Sequence, residues 1–284
     1  MIMQKAFSLF NNMIDLAEKE LFNYTFNTNI VIDKKADKSV VTECDKRIDL
    51  KLSQIAKEVG LQVVSEEGEH ALNIVKSGNY ITIDPIDGTL GYLDYVNYAL
   101  NNGGIKNFLN KDLGSKSDFC LLLGIVENNI PRFGACYNFI TKEKILIDGE
   151  NKNNLIRENN VRNYSGKNVI YIDQRQGGKL EQELILLPNI KVMKQAALGL
   201  KSLYTIINPH KNAITLHTVQ TSGLWDILPA AVATKSFGGN VFDAKGELLK
   251  LNEYIILPGI GAIIIKGEMF QFVIDKTKEN YILH

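Results

Sequence analysis

The residues best placed to do chemistry are Asp84, Pro85, Ile86, Asp87, Gly88 and Thr89, which follow the apolar run Tyr80-Ile81-Thr82-Ile83 without a break. That run reads as a buried strand, so both carboxylates sit at a strand end. Pro85 fixes its own φ and pushes Asp84 towards an extended conformation, which makes the exit a rigid turn. Two carboxylates on a stiff turn suit a hard divalent cation, because Mg²⁺ takes oxygen ligands in near-octahedral geometry. Gly88 lets the backbone approach a ligand closely, and Thr89 offers a hydroxyl and an amide where a helix can begin, a natural seat for phosphate. By itself Asp-x-x-Asp is more often an acidic turn that caps a helix; the whole hexapeptide behind its strand favours a metal and a phosphate.

These residues need elements to hold them. Gln62 to Ser65 reads as a neighbouring strand that ends in Glu66, Glu67 and Gly68, which puts Glu66 at the same sheet edge as Asp84. Thr42 and Asp45 have the form of a capping pair opening a helix through Ile48, Leu52, Ile55, Ala56 and Val59, closed at Gly60. Gln4 to Phe22 carries Phe7, Phe10, Ile14, Ala17 and Leu21 at mostly helical spacing, an amphipathic first helix. Leu90 to Ser117, rich in Asn and Gly, is long for a connection and is expected to be a loop with at most one short helix, serving as a lid, a dimer contact or a surface loop. Phe119 to Val126, Arg132 to Phe139 and Lys144 to Ile147 read as antiparallel strands.

A polar stretch from Asp148 to Gly166 marks the expected boundary between an N-terminal α+β domain, residues 1–155, and a C-terminal α/β domain, residues 156–284. In the second, Asn168 to Ile172 and Ala213 to Leu216 read as strands, and Ala196 to Ile207 and Asp226 to Ser236 as helices. An Asp in the first turn of a helix usually caps it or complements its dipole. Glu66, Asp84 and Asp87 would repel one another without a cation, however, and Asp226 is a candidate to join them.

Composition narrows the partners. The chain has 284 residues, an ordinary apolar fraction of 45%, and 32 basic against 32 acidic side chains, so net charge gives no reason to expect a nucleic acid or an acidic membrane. Cys44, Cys120 and Cys136 are odd in number and lie in or beside apolar segments, which fits inert reduced thiols and a cytoplasmic protein. No signal peptide or membrane-spanning run is expected. His70, His210 and His217 are too scattered for a zinc set and are expected to be structural or surface residues.

Taken in order, Val41-Thr42-Glu43-Cys44-Asp45, Glu66-Glu67, the Asp84 to Thr89 hexapeptide, Trp225-Asp226, Pro229-Ala230-Ala231 and Gly238-Gly239 resemble the inositol monophosphatase superfamily of Mg²⁺-dependent, lithium-sensitive phosphatases, over roughly Thr42 to Asp243. The resemblance implies an α/β fold, a layered αβαβα sandwich, often assembled as a homodimer. It also implies two or three Mg²⁺ ions held by Glu66, Asp84, the Ile86 carbonyl, Asp87 and Asp226. Thr89 and Asp45, with Glu66, would handle the attacking water, and the amides of Gly88 and Thr89 would hold the phosphate. No covalent enzyme intermediate is needed.

Within the superfamily, Ser65-Glu66-Glu67 and Gly199-Leu200-Lys201 are similar to the 3′(2′),5′-bisphosphate nucleotidase branch, which implies Lys201 as a contact to a second phosphate and adenosine 3′,5′-bisphosphate as substrate. Lys201 otherwise reads as a solvated helix residue. The chain departs from that branch where Leu90-Gly91 replaces Lys-Glu and where Ala196-Ala197 replaces a Gly with Ser or Thr, while Tyr92 keeps the expected aromatic. Inositol monophosphatase or inositol polyphosphate 1-phosphatase activity, on a small phosphorylated substrate, is the alternative. A regulatory protein that keeps the phosphatase fold is a reading of another class.

Overall fold

In the computed structural model, residues 3–27, 32–34, 40–68, 72–102, 113–160, 166–172, 179–217, 223–243, 245–251 and 262–275 are described. The first half contains α1 (Met3–Asn27), β1 (Ile32–Lys34), β2 (Val40–Thr42), α2 (Glu43–Glu58), β3 (Val63–Ser65), α3 (Leu72–Ser77), β4 (Tyr80–Asp87), α4 (Thr89–Asn101), β5 (Cys120–Glu127), β6 (Ile130–Asn138), β7 (Lys144–Asp148) and β8 (Ile156–Glu158). The second contains β9 (Asn168–Ile172), α5 (Lys179–Ile185), β10 (Lys191–Lys194), α6 (Leu198–Ile207), β11 (Asn212–Leu216), α7 (Leu224–Phe237), β12 (Asn240–Asp243) and β13 (Ala262–Lys266).

Two sheets result. The first runs β3-β4-β5-β6-β7-β8, parallel only between β3 and β4, and the second runs β10-β9-β11-β13-β12, antiparallel at its β13 pairings. Both are flanked by helices, which is why β4 is buried along its whole length and β5 along nearly all of it. The α1 and α2 faces bearing Phe10, Met13, Ile48 and Leu52 pack on Ile81, Ile83 and Leu123 of the first sheet. Between the sheets lie α6 and α7, with Leu203, Leu228 and Val232 against Leu122 and Ile147 on one side and Ala213 and Ile264 on the other. Leu184 of α5 joins Ile170, Ile214 and Ile263 on the outer face of the second sheet. The order is α, β, α, β, α, the layered sandwich that was expected. Each fully buried large apolar side chain in it stabilises the fold by about 1.5–3 kcal/mol.

The seating of α7 decides where the site forms. Gly124 and Gly134 face each other across β5 and β6, and a Cβ on Gly124 would lie 2.5 Å from Leu228 Cδ2. Without side chains there, α7 comes down onto the sheet beside β4. A buried polar group ties the first sheet to α6: Arg157 Nε donates to Glu143 Oε1 at 2.6 Å, Arg157 Nη1 donates to Asn208 Oδ1 at 2.8 Å, and the Tyr204 hydroxyl donates to Glu143 Oε2.

Several expectations change. Thr89 to Asn101 is a helix of 13 residues, where the sequence suggested a loop with at most a short helix. Its Tyr92, Tyr95, Val96 and Ala99 are buried at helical spacing, and the packing of both tyrosines edge-on against Phe119 outweighs the scattered Asn residues. Residues 103–112 of the same segment, and His70, lie outside the described residues. The strand does not stop at Ile83 but continues to Asp87. Strands β8, β10, β12 and β13 and helices α3 and α5 had no clear signal in the sequence, and β8 extends the first sheet just past residue 155.

Candidate active site

In a regular strand, residues three apart point to opposite faces. Asp84 and Asp87 nonetheless converge, because the pairing of β4 with β5 shifts register between them. Pro85 has no N–H to continue the ladder, so the chain bulges there and the parity of the faces is reversed. Gly88 then takes a left-handed conformation, φ +88°, and α4 starts at Thr89. A side chain on Gly88 would meet the Asp118 carbonyl at 2.8 Å.

Asp226 arrives from α7. It serves as the cap that its position suggested, accepting the Gly223 amide on Oδ2 at 2.7 Å, and it also joins the acidic set. Ligand atoms from Asp84, Asp87 and Asp226 all lie within 4.8 Å of one another, and the three residues are only 1%, 5% and 7% exposed. Glu66 stands at the end of β3, its amide donating to the Ile83 carbonyl at 3.0 Å and its carboxyl hydrogen-bonded to Asp84.

Electrostatics distinguishes the carboxylates. Burial, reinforced by Glu66, Asp87 and Asp226, pushes the Asp84 carboxyl well above its ordinary value. Only one donor within the motif, the Ile86 amide at 3.1 Å, offsets this. Asp87 is also pushed up by burial, to about 6, but is held back by the first turn of α6. The amides of Leu198, Gly199 and Leu200 donate to its oxygens at 2.8, 2.7 and 3.3 Å. Burial raises Asp45 to about 6 as well, against hydrogen bonds from Thr42, whose amide donates at 2.8 Å. The expected capping box of α2 therefore also orients this carboxylate. Thr89 Oγ1 lies 3.3 Å from Asp45 Oδ1 and 3.2 Å from the Ile86 carbonyl, so Thr89 connects the α2 carboxylate to the β4 bulge.

The donors fit a hard divalent cation. They are oxygens, they are buried, and as neighbouring anions they are costly to hold together without a positive charge.

Lys201 is 1% exposed, which overturns its reading as a solvated helix residue. It lies on α6 close enough to His217 that its charge, after burial, helps to disfavour the imidazolium. His217 in turn pairs with Ser202 Oγ at 2.5 Å, and His210 pairs with the Tyr171 hydroxyl at 2.9 Å, so both are buried structural residues. All three cysteines are free and buried. Two neighbours of the site had escaped attention. Cys120, expected to be inert, pairs with Asp87 in the β4–β5 register and places its thiol 3.6 Å from Asp87 Oδ2. Gly199, noted only as part of a substrate motif, packs against both Asp87 and Asp226. Neither contact has a local signal, since each depends on pairing or packing across the molecule.

A buried carboxylate cluster beside a helix start, set where the layers of an αβαβα sandwich meet, defines a metal-dependent phosphatase. The chain belongs to the inositol monophosphatase family, whose model matches residues 3–267. This is a family of Mg²⁺-dependent enzymes. Searched by sequence, curated proteins give no match. Solved structures share the fold: the Thermotoga maritima IMPase is 16% identical, with 99% of this chain and 98% of that one covered at a TM-score of 0.66. A Staphylococcal inositol monophosphatase-1 soaked in LiCl, described as an inhibitory complex, is 15% identical, with 97% and 95% covered at 0.71. An IMPase/NADP phosphatase complexed with NADP and Ca²⁺ is 16% identical, with 98% and 96% covered at 0.69. No helix among the described residues is long and apolar enough to cross a membrane.

Proposed function

We propose that the chain hydrolyses a small phosphomonoester bearing a second phosphate, with adenosine 3′,5′-bisphosphate, converted to AMP and phosphate, as the first candidate. The observation that carries phosphoester hydrolysis is the convergence of Asp84, Asp87 and Asp226 on one point next to the Gly88-Thr89 helix start. Residues 1–155 and 156–284 both contribute to it. Two or three Mg²⁺ ions held by Glu66, Asp84, the Ile86 carbonyl, Asp87 and Asp226 would supply a lowered pKa for the attacking water and charge stabilisation for the leaving oxygen.

The chain's own groups do the rest. The amides of Gly88 and Thr89 bind the phosphate at the start of α4, where the helix dipole favours an anion. Thr89 accepts a hydrogen bond from the water and passes its proton towards Asp45, 3.3 Å away. With its carboxyl pushed up to about 6 by burial, Asp45 is a suitable acceptor near neutral pH. Glu66, hydrogen-bonded to Asp84, keeps the opposite side of the site acidic.

For the second phosphate the support is the likeness of Gly199-Leu200-Lys201 to the nucleotidase pattern; Lys201 lies on the helix whose first turn meets Asp87, buried near His217. The IMPase/NADP phosphatase that holds NADP supports a nucleotide as the rest of the substrate. Hydrolysis of an inositol monophosphate is the second reading, favoured by the family and by the missing Lys-Glu at Leu90-Gly91. Assembly as a cytoplasmic homodimer is carried by the sequence resemblance and the reduced thiols.

The test is phosphate release with Mg²⁺ from adenosine 3′,5′-bisphosphate, inositol 1-phosphate, inositol 1,4-bisphosphate and fructose 1,6-bisphosphate. A charge-assisted contact is worth roughly 1.5–3 kcal/mol, so Lys201→Ala should lower kcat/KM for the nucleotide about tenfold to a hundredfold and spare inositol 1-phosphate. Equal losses on both substrates would make Lys201 structural. A native preference for inositol 1-phosphate would reject the nucleotide reading, and no metal-dependent release from any of the four would favour a binding role.

A further inference from the structure

We infer that Gly199 is a positioning residue for the metal centre: by carrying no side chain, it lets the first turn of α6 close on Asp87 and fix which carboxylate oxygen is left for a cation. The inference rests on Asp84, Asp87 and Asp226 being the metal ligands. Three donors converge on Asp87 Oδ2, namely the Gly199 amide at 2.7 Å, the Leu200 amide at 3.3 Å and the Cys120 thiol at 3.6 Å. On Oδ1 there is one among the described residues, the Leu198 amide at 2.8 Å. An ionised carboxylate offers about four acceptor directions in all, two on each oxygen. Oδ2 is therefore spent, and Oδ1 keeps one direction open, so Asp87 is presented as a one-oxygen ligand. Mg²⁺ tolerates little departure from octahedral geometry, which makes this orientation matter more for affinity than the number of carboxylates alone.

Gly199 is the residue that permits this closeness. A Cβ there would lie 2.1 Å from Leu122 Cδ1, 2.7 Å from the Asp226 carbonyl and 3.3 Å from Asp87 Oδ2. The Leu122 methyl can swing aside, but the Asp226 carbonyl is backbone at the start of α7. An alanine would thus press α6 away from both Asp226 and Asp87. Gly199 thus borders two of the three ligands at once.

The experiment follows Mg²⁺ binding by calorimetry and by the Mg²⁺-dependent rise in melting temperature, without substrate. Four proteins are compared: wild type, Leu122→Ala, Gly199→Ala in the Leu122→Ala background, and Cys120→Ala. Leu122→Ala should lower the metal-free melting temperature and leave the Mg²⁺ midpoint within twofold of wild type, since it removes only packing. Adding Gly199→Ala should raise that midpoint at least tenfold, whereas Cys120→Ala should leave it within twofold, because the Gly199 and Leu200 amides still fill both directions of Oδ2. A Gly199→Ala midpoint within twofold of wild type overturns the inference. If that protein does not fold without metal, the Mg²⁺ concentration that restores its helical signal serves as the midpoint. A wild type that binds no Mg²⁺ overturns the metal-ligand reading itself, an outcome distinct from variants that bind as wild type does.

Discussion

Replacing Asp84 and Asp87 by Asn in turn should separate two carboxylates that the sequence presents as equivalents. Both variants lose a proposed metal ligand and should lose activity. Their metal-free stabilities should differ. The Asp87 carboxyl is raised from 3.8 to about 6, so above pH 6 its charge costs the folded state about 3 kcal/mol, at roughly 1.4 kcal/mol per unit. Asp87→Asn removes that cost but also turns one of the two oxygens that face the α6 amides into a donor. Losing a hydrogen bond to a charged group costs about 1.5–3 kcal/mol, which offsets part of that gain. Asp84 is pushed well above its ordinary value, and its one amide partner among the described residues, Ile86, can be kept by the Asn oxygen. Asp84→Asn should therefore exceed Asp87→Asn in stability by at least about 1.5 kcal/mol at pH 8, the bond that only the latter loses. Urea unfolding in EDTA measures the difference. Equal stabilities, or a more stable Asp87→Asn, would refute the assignment of the α6 amides as partners of Asp87.

Mg²⁺ should raise the melting temperature and EDTA should abolish activity, since a cation bound only by the folded state stabilises by mass action; full turnover in EDTA would contradict this. Metal-free wild type should lose stability as pH rises from about 4 to 6, because Asp45 and Asp87 hold protons in the folded state that the unfolded chain has already released, and Mg²⁺ should suppress that slope. His217 gives the opposite sign: its folded value lies well below 6.5, so in saturating Mg²⁺ stability should fall as pH drops below 6.5, and His217→Gln should flatten this limb by up to about 1.4 kcal/mol per unit. Glu143→Ala should cost about 3 kcal/mol in urea unfolding by leaving Arg157 without its buried carboxylate, and Tyr204→Phe nearer 1–2 kcal/mol.

Local patterns determined much of this protein from sequence alone. The Thr42 and Asp45 capping pair, the apolar run before Asp84 and the three antiparallel strands each depend on neighbours in the chain, and short-range sterics and periodicity reveal them. Chemistry was equally legible, because Asp84, Asp87 and Thr89 lie within one hexapeptide. What the tertiary structure decided is everything that crosses the layers. The bulge at Pro85, visible only in the β4–β5 register, turns Asp84 and Asp87 to one side, and the Gly124–Gly134 contact seats α7 so that Asp226 reaches them. The sequence left Lys201 open between a substrate contact and a solvated helix residue, whereas enclosure of α6 between two sheets buries it. Cys120 and Gly199 gain their places beside Asp87 only through strand pairing and helix contact, interactions between residues far apart in the chain that no local pattern encodes.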